Sequence, residues 1–262
     1  MIKLAVFDMD GTLLDDHKKV LDSSIKTLHK LREQGVKLAI ASGRPFFKIE
    51  TDYTGGFEFD YLICCNGNGV YDFDGNVLFQ YGFPNDDLEM IVKDFQETGN
   101  TLFFQFQECS AIYSNYDECY NRLISFATDP KRVINQCDNF DYHLTHSALQ
   151  GIAQISKEKG VEYNQKYPAY NFIQYGDGGF DIVVKGIDKS TGIQHICDHM
   201  NIKMSEVIAF GDYNNDLAML KEAGIGVAME NALDEVKETA DYITTSNNDD
   251  GIEVACKHYN LI

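Results

Sequence analysis

Positive charge is scarce in this chain: 22 Lys and Arg stand against 41 Asp and Glu, a formal net charge of -19. That balance argues against a nucleic-acid or anionic-membrane partner, because such ligands need a basic face. Long apolar runs are missing as well. The most apolar stretches, such as residues 36–41 with Lys37 inside, are strand-sized and too short to span a bilayer. A secretory leader is not expected either, since the opening Met-Ile-Lys-Leu-Ala-Val-Phe-Asp reaches a carboxylate within eight residues. The seven cysteines, at 64, 65, 109, 119, 137, 197 and 256, show no metal-type clustering, and the adjacent Cys64 and Cys65 form no CxxC pair. They read as free thiols of a reducing, cytoplasmic compartment.

What is present is ordinary globular composition: 44% hydrophobic and 24% charged over 262 residues, enough for a large α/β domain with a second, smaller one. The first 80 residues alternate strand and helix patterns. Residues 3–7 read as a short apolar strand, and residues 36–41 and 61–65 as two more. Residues 23–34 carry Ile25, Leu28 and Leu31 at helical spacing, with Asp22 or Ser23 as cap and Gly35 as stop. The last 75 residues repeat that order, with helices over 191–200, 216–222 and 232–239 among strands over 207–210, 225–228 and 242–244. Strands separated by helices imply parallel pairing.

The middle differs. Residues 83–184 hold 17 of the 32 Phe and Tyr residues, with strand-like stretches over 101–106, 170–174 and 180–184. The expected fold class is α/β: a Rossmann-like parallel-sheet core domain from residues 1–82 and 185–262, interrupted by an inserted α+β domain over 83–184. Gly82-Phe83-Pro84 and Lys185-Gly186 are the expected hinges.

Four segments carry chemistry. Asp8-Met9-Asp10-Gly11-Thr12 follows the first strand, where open α/β sheets bind ligands. One carboxylate there can attack phosphorus, and the other can protonate a leaving alkoxide and later deprotonate water. Ser42-Gly43-Arg44 ends the second strand, with a hydroxyl and a glycine amide able to donate to a phosphoryl oxygen. Lys189 opens a helix and can neutralise two anions that must approach each other; Lys185 competes for that role. Gly211-Asp212-Tyr213-Asn214-Asn215-Asp216 follows another apolar strand. In it Asp212 can ligate Mg²⁺, while Asn215 and Asp216 can orient Lys189 or hold water ligands. An acidic protein acting on a phosphate ester needs such local devices, because its overall field repels the substrate.

Together these segments resemble the four motifs of the haloacid dehalogenase superfamily, and their order, with a long insert between the second and third, resembles the Cof-type, subfamily IIB-like phosphatases. Asn66-Gly67-Asn68-Gly69, the run from Gly226 to Ala232, Ser246-Asn247 and Asp250-Gly251 also look like that subfamily. The resemblance implies Asp8 as nucleophile and Asp10 as acid/base. It implies Mg²⁺ held by the Asp8 carboxylate, the Asp10 backbone carbonyl and Asp212. Ser42, Gly43, Lys189 and Asn215 would bind phosphate, with Asp216, Arg44 and Asn66 in support. The insert would be a mobile cap. Tyr213 departs from the smaller residue usual there, and residues 180–184 match the family's pattern loosely.

The expectation is a Mg²⁺-dependent phosphatase hydrolysing a small phosphorylated metabolite, a sugar phosphate or a cofactor phosphate such as pyridoxal phosphate or FMN. It would work in the cytoplasm as a monomer or weak homodimer. A dehalogenase needs neither Asp10 nor a metal, so Asp10 and Asp212 count against it. A phosphomutase and an aspartyl-phosphate signalling module stay as alternatives.

Overall fold

In the computed structural model, residues 1–49, 54–175 and 178–262 are described. The chain divides into two compact units, one of Met1–Arg44, Ile49–Phe79 and Asp188–Ile262, the other of Pro45–Lys48 and Gln80–Ile187.

The first unit is built on an eight-stranded sheet. Its strands are β1 (Leu4–Phe7), β2 (Lys37–Ala41), β3 (Tyr61–Cys64), β4 (Gly69–Asp72), β5 (Val77–Gln80), β12 (Val207–Gly211), β13 (Ile225–Ala228) and β14 (Tyr242–Ile243), in the spatial order β14-β13-β12-β1-β2-β3-β4-β5. All four residues of β1, Leu-Ala-Val-Phe, are buried. Such an unbroken apolar run is what a central strand covered on both faces requires. The pairs from β14 through β3 are parallel, and β3 pairs antiparallel with β4. Helices α1 (Asp22–Glu33), α5 (Lys189–Met200), α6 (Leu217–Glu222), α7 (Asp234–Thr239) and α8 (Gly251–His258) belong to the same unit. Ile193 and Ile196 of α5 pack into one buried cluster with Leu4, Val6, Ala39 and Val207 of the strands.

Two local expectations need correction. Helix α1 is capped by neither Asp22 nor Ser23: its N-cap is Leu21, which makes no side-chain cap bond. The Ser23 hydroxyl bonds to Asp250 instead, so a distant partner removes it from capping. The third strand is also followed by β4 and β5, which an alternating strand–helix reading passes over.

The second unit has a six-stranded sheet ordered β10-β11-β9-β6-β7-β8. Its strands are β6 (Thr101–Gln105), β7 (Ser110–Ser114), β8 (Val133–Asn135), β9 (Gln150–Gln154), β10 (Tyr170–Tyr175) and β11 (Gly179–Val184). Helices α2 (Asn85–Thr98), α3 (Tyr116–Ser125) and α4 (Lys157–Lys166) accompany them. The aromatic residues conspicuous in the sequence form this unit's core, where Phe95, Phe104, Tyr113, Tyr163, Tyr167 and Phe172 are all buried.

Candidate active site

Strand β1 lies between β12 and β2, so the chain leaves it on one side and returns on the other. Adjacent loops at such a switch point diverge and leave a crevice beyond the strands' carboxyl ends. Asp8, Ser42 and Asp212 each come directly after one of these three strands.

Asp8 is 7% exposed and its backbone N–H donates to the Phe210 carbonyl at 2.9 Å. Its carboxylate accepts from Lys189 Nζ, which also donates to Asp216 Oδ1 at 2.6 Å. Lys189 is fully buried. It occupies the first position of α5 because Asp188 and Thr191 close a capping box there, Asp188 Oδ1 accepting from Thr191 N–H at 3.1 Å. Burial disfavours the Lys189 charge, but the Asp216 and Asp8 carboxylates outweigh it and hold the ammonium protonated. Lys185, the competing cation, belongs to the other unit.

Asp216, also fully buried, takes Lys189 on one oxygen and the backbone N–H groups of Asp212 and Tyr213 on the other, at 2.9 and 3.0 Å. Both oxygens are therefore occupied by protein donors. Asp212 is held by Thr12, whose Oγ1 donates to Oδ1 at 2.8 Å. Gly11, at φ +88°, passes so close that a Cβ there would lie 2.4 Å from Asp212 Oδ2. A side chain there would push the Asp212 carboxylate aside and strain a backbone that glycine adopts freely.

Carboxylate oxygens of Asp8, Asp212 and Asp216 lie within 4.8 Å of one another. Burial pushes Asp8 up to about 8, against the pull of Lys189, with Asp216 and Asp212 adding to the rise. Burial likewise pushes Asp212 up to about 6, against the Thr12 hydrogen bond. Three carboxylates around one ammonium leave negative charge uncompensated, and Asp8 and Asp212 are the two whose oxygens are not fully engaged by protein donors. That donor set, hard carboxylate oxygens with a charge deficit, fits a divalent cation such as Mg²⁺.

Asp10 keeps its carboxylate out of this group. It accepts from Arg44 Nε and Nη2 at 3.0 and 2.9 Å and from Lys18 Nζ at 2.7 Å. Burial works to raise its pKa, but the Arg44 and Lys18 hydrogen bonds and charges together hold it below the usual carboxylate value. Ser42 is buried, and its hydroxyl accepts from the Arg44 N–H at 3.2 Å. Gly43 lies against the Asn66 side chain, and Asn66 Oδ1 accepts from Asn215 Nδ2 at 3.0 Å.

Apart from the competing Lys185, the candidate site residues lie in the first unit, in three hydrogen-bonded groups: Asp8, Lys189, Asp216 and Asp212; Asp10, Arg44 and Ser42; and Asn66 with Asn215 beside Gly43. Sequence reasoning passed over Lys18 and the supports of the nucleophile loop. Asn231 donates to the Gly11 carbonyl at 2.8 Å, and Asn247 to that of Leu14 at 2.9 Å. Both asparagines stand in the tail segments that carried the resemblance, which was the available signal; Lys18 had none.

A family model described as haloacid dehalogenase-like hydrolase matches residues 5–255. The 5-amino-6-(5-phospho-D-ribitylamino)uracil phosphatase YcsE of Bacillus subtilis is 30% identical over 260 residues, covering 99% of this chain and 96% of its own. The solved structure of the phosphatase BT1666 of Bacteroides thetaiotaomicron superposes with a TM-score of 0.87 at 28% identity, covering 100% of this chain and 96% of that one. The subclass IIB sugar phosphatase BT4131 superposes with a TM-score of 0.82 at 27% identity, covering 99% and 100%.

Proposed function

This chain belongs to the haloacid dehalogenase-like hydrolase family and is a phosphoric monoester hydrolase, and from that premise we propose that it is a Mg²⁺-dependent phosphatase working through an aspartyl-phosphate on Asp8. The observation that carries the proposal is the Asp8 carboxylate paired with the buried Lys189 ammonium and within 4.8 Å of the Asp212 and Asp216 carboxylates. A buried cation beside it lets an anionic nucleophile meet an anionic phosphoryl group, and the neighbouring carboxylates form a donor set suited to a divalent ion.

In this reading an Asp8 oxygen attacks phosphorus and the ester oxygen leaves, taking a proton from Asp10. Water then gives a proton back to Asp10 and attacks the same phosphorus, releasing inorganic phosphate and restoring the Asp8 carboxylate. Ser42, Gly43, Lys189 and Asn215 hold the phosphoryl oxygens. Asp8, Asp212 and the Asp10 carbonyl would hold Mg²⁺, which would supply charge neutralisation and favour the ionised form of Asp8. As an ionised carboxylate paired with Arg44 and Lys18, Asp10 is set for the water step. Protonating the leaving group requires those two contacts to loosen, and an arriving phosphate competes for the same cations.

The substrate is a small phosphorylated metabolite, of sugar-phosphate or cofactor-phosphate type; the relatives named for a ribityl phosphate and for sugar phosphates support that class. Residues 83–184 serve as cap and the flanking segments as core. Seven cysteines without metal-type spacing favour a reducing compartment and hence the cytoplasm, and monomer or weak homodimer is the accompanying reading. Among the described residues no helix is long and apolar enough to cross a membrane.

Turnover of p-nitrophenyl phosphate with and without Mg²⁺ tests the proposal. Steady product release that needs Mg²⁺ and disappears in Asp8→Asn is expected. A single stoichiometric phosphorylation, or an Asp8→Asn variant with normal turnover, would sink it.

A further inference from the structure

Strand β3 passes to β4 through a four-residue link, residues 65–68, closing an antiparallel hairpin in which Cys64 faces Gly69. Links of that length are most often built around a type I turn, whose central residues keep φ negative. This one does otherwise. Cys65 has φ +50° and Asn66 φ +55°, and Gly67 follows at φ +106°. Asparagine tolerates the left-handed region; cysteine rarely enters it. The hairpin does not demand this strain, so its purpose lies in what the conformation touches.

It touches three of the four chemistry-bearing segments. The Cys65 N–H donates to the Arg44 carbonyl and the Asn66 N–H to the Ser42 carbonyl, each at 3.0 Å, so the turn grips the loop after β2 twice. Gly67 lies against the residue preceding Lys189: a Cβ there would fall 1.9 Å from the Asp188 carbonyl oxygen. The Asn66 side chain accepts from Asn215 Nδ2 at 3.0 Å, across 149 residues of sequence. Asn68 Nδ2 braces the turn from inside through the Cys65 carbonyl at 3.1 Å.

We infer that residues 65–68 are a positioning element for the phosphoryl-binding loops, and that Asn66 is a positioning residue that aims the Asn215 amide through their side-chain hydrogen bond. The inference rests on the reading of Asn215 as a phosphate ligand. An amide tethered by one N–H keeps its second N–H in a fixed direction; untethered, it rotates about two side-chain torsions and spends little time aimed at phosphate. Asn66 itself touches Asn215 and the loop after β2, and acts on phosphate through them.

Asn66→Gly separates the side chain from the backbone, because glycine accepts φ +55° without cost. The inhibition constant of inorganic phosphate and the KM for p-nitrophenyl phosphate should rise about tenfold, the scale of one hydrogen bond. The melting temperature should hold or rise. In an Asn215→Ala background the same substitution should add nothing, since the tether is already gone. A wild-type phosphate constant in Asn66→Gly, or a full tenfold effect that persists without Asn215, would overturn the inference. If wild-type protein neither turns over the ester nor binds phosphate, the phosphatase reading fails instead, which is a different result.

Discussion

At the scale of single residues, each aspartate of the site owes its chemistry to what surrounds it. Asp8 and Asp216 share one ammonium, yet only Asp216 has both oxygens filled by donors within the protein. Asp216 therefore positions Lys189 and the backbone after β12, while Asp8 keeps an oxygen for the nucleophilic role proposed for it. Asp10 differs from both, being matched to two cations and partly open to solvent. Replacing it with Asn keeps the size but removes the transferable proton and turns one of the two acceptors facing Arg44 and Lys18 into a donor. Asp10→Asn should lower kcat by roughly 10²–10⁴ while leaving the thermal melt near that of wild type. A variant retaining kcat within a few-fold would take Asp10 out of proton transfer.

Elements explain how these residues meet. The capping box of α5 sets Lys189 at the start of a helix, and the short apolar strand β1 delivers Asp8 to its carboxyl end. In the second unit, burial pushes the Asp181 carboxyl of β11 up to about 6, opposed by a hydrogen bond from Gln150. A carboxyl whose pKa rises from 3.8 to about 6 on folding binds its proton more tightly in the folded chain. Its contribution is fully present below about pH 4 and is lost as pH climbs through 6. Asp181→Asn stays neutral throughout. It should melt like wild type near pH 4 and be the more stable protein near pH 8, by at most about 3 kcal/mol. Equal stability at both pH values would show that Asp181 ionises as freely folded as unfolded.

The whole molecule adds a field of one sign. With 41 acidic and 22 basic side chains, the chain repels a phosphate ester at long range. In the proposed function, capture therefore falls to Lys189, Arg44 and Lys18 close in, and to a divalent cation at Asp8 and Asp212. A ligand that binds only the folded state stabilises it by mass action, about 2.7 kcal/mol at a hundred times its dissociation constant. Mg²⁺ should therefore raise the melting temperature by roughly 5 °C at such excess, and Asp212→Asn should abolish most of that shift. A shift of the same size in Asp212→Asn would assign it to diffuse binding on the acidic surface.

Local pattern carried much of this protein. Apolar runs of strand length, helical spacing and the residues just beyond each strand are encoded within a few positions, and β1, β2, β12 and α5 lie where that spacing puts them. The candidate site residues were legible for the same reason, as small acidic, hydroxyl and glycine clusters at strand ends. Contacts at long range were not. That Asp216 is consumed by Lys189 and two backbone amides, that Arg44 and Lys18 clamp Asp10, and that Ser23 bonds to Asp250 and leaves α1 uncapped depend on partners up to 227 residues away. Periodicity reports which face of an element is apolar; it holds no information about which polar atoms meet across loops. Only the folded chain, by closing β1 between β12 and β2, decided which oxygens were left free for chemistry.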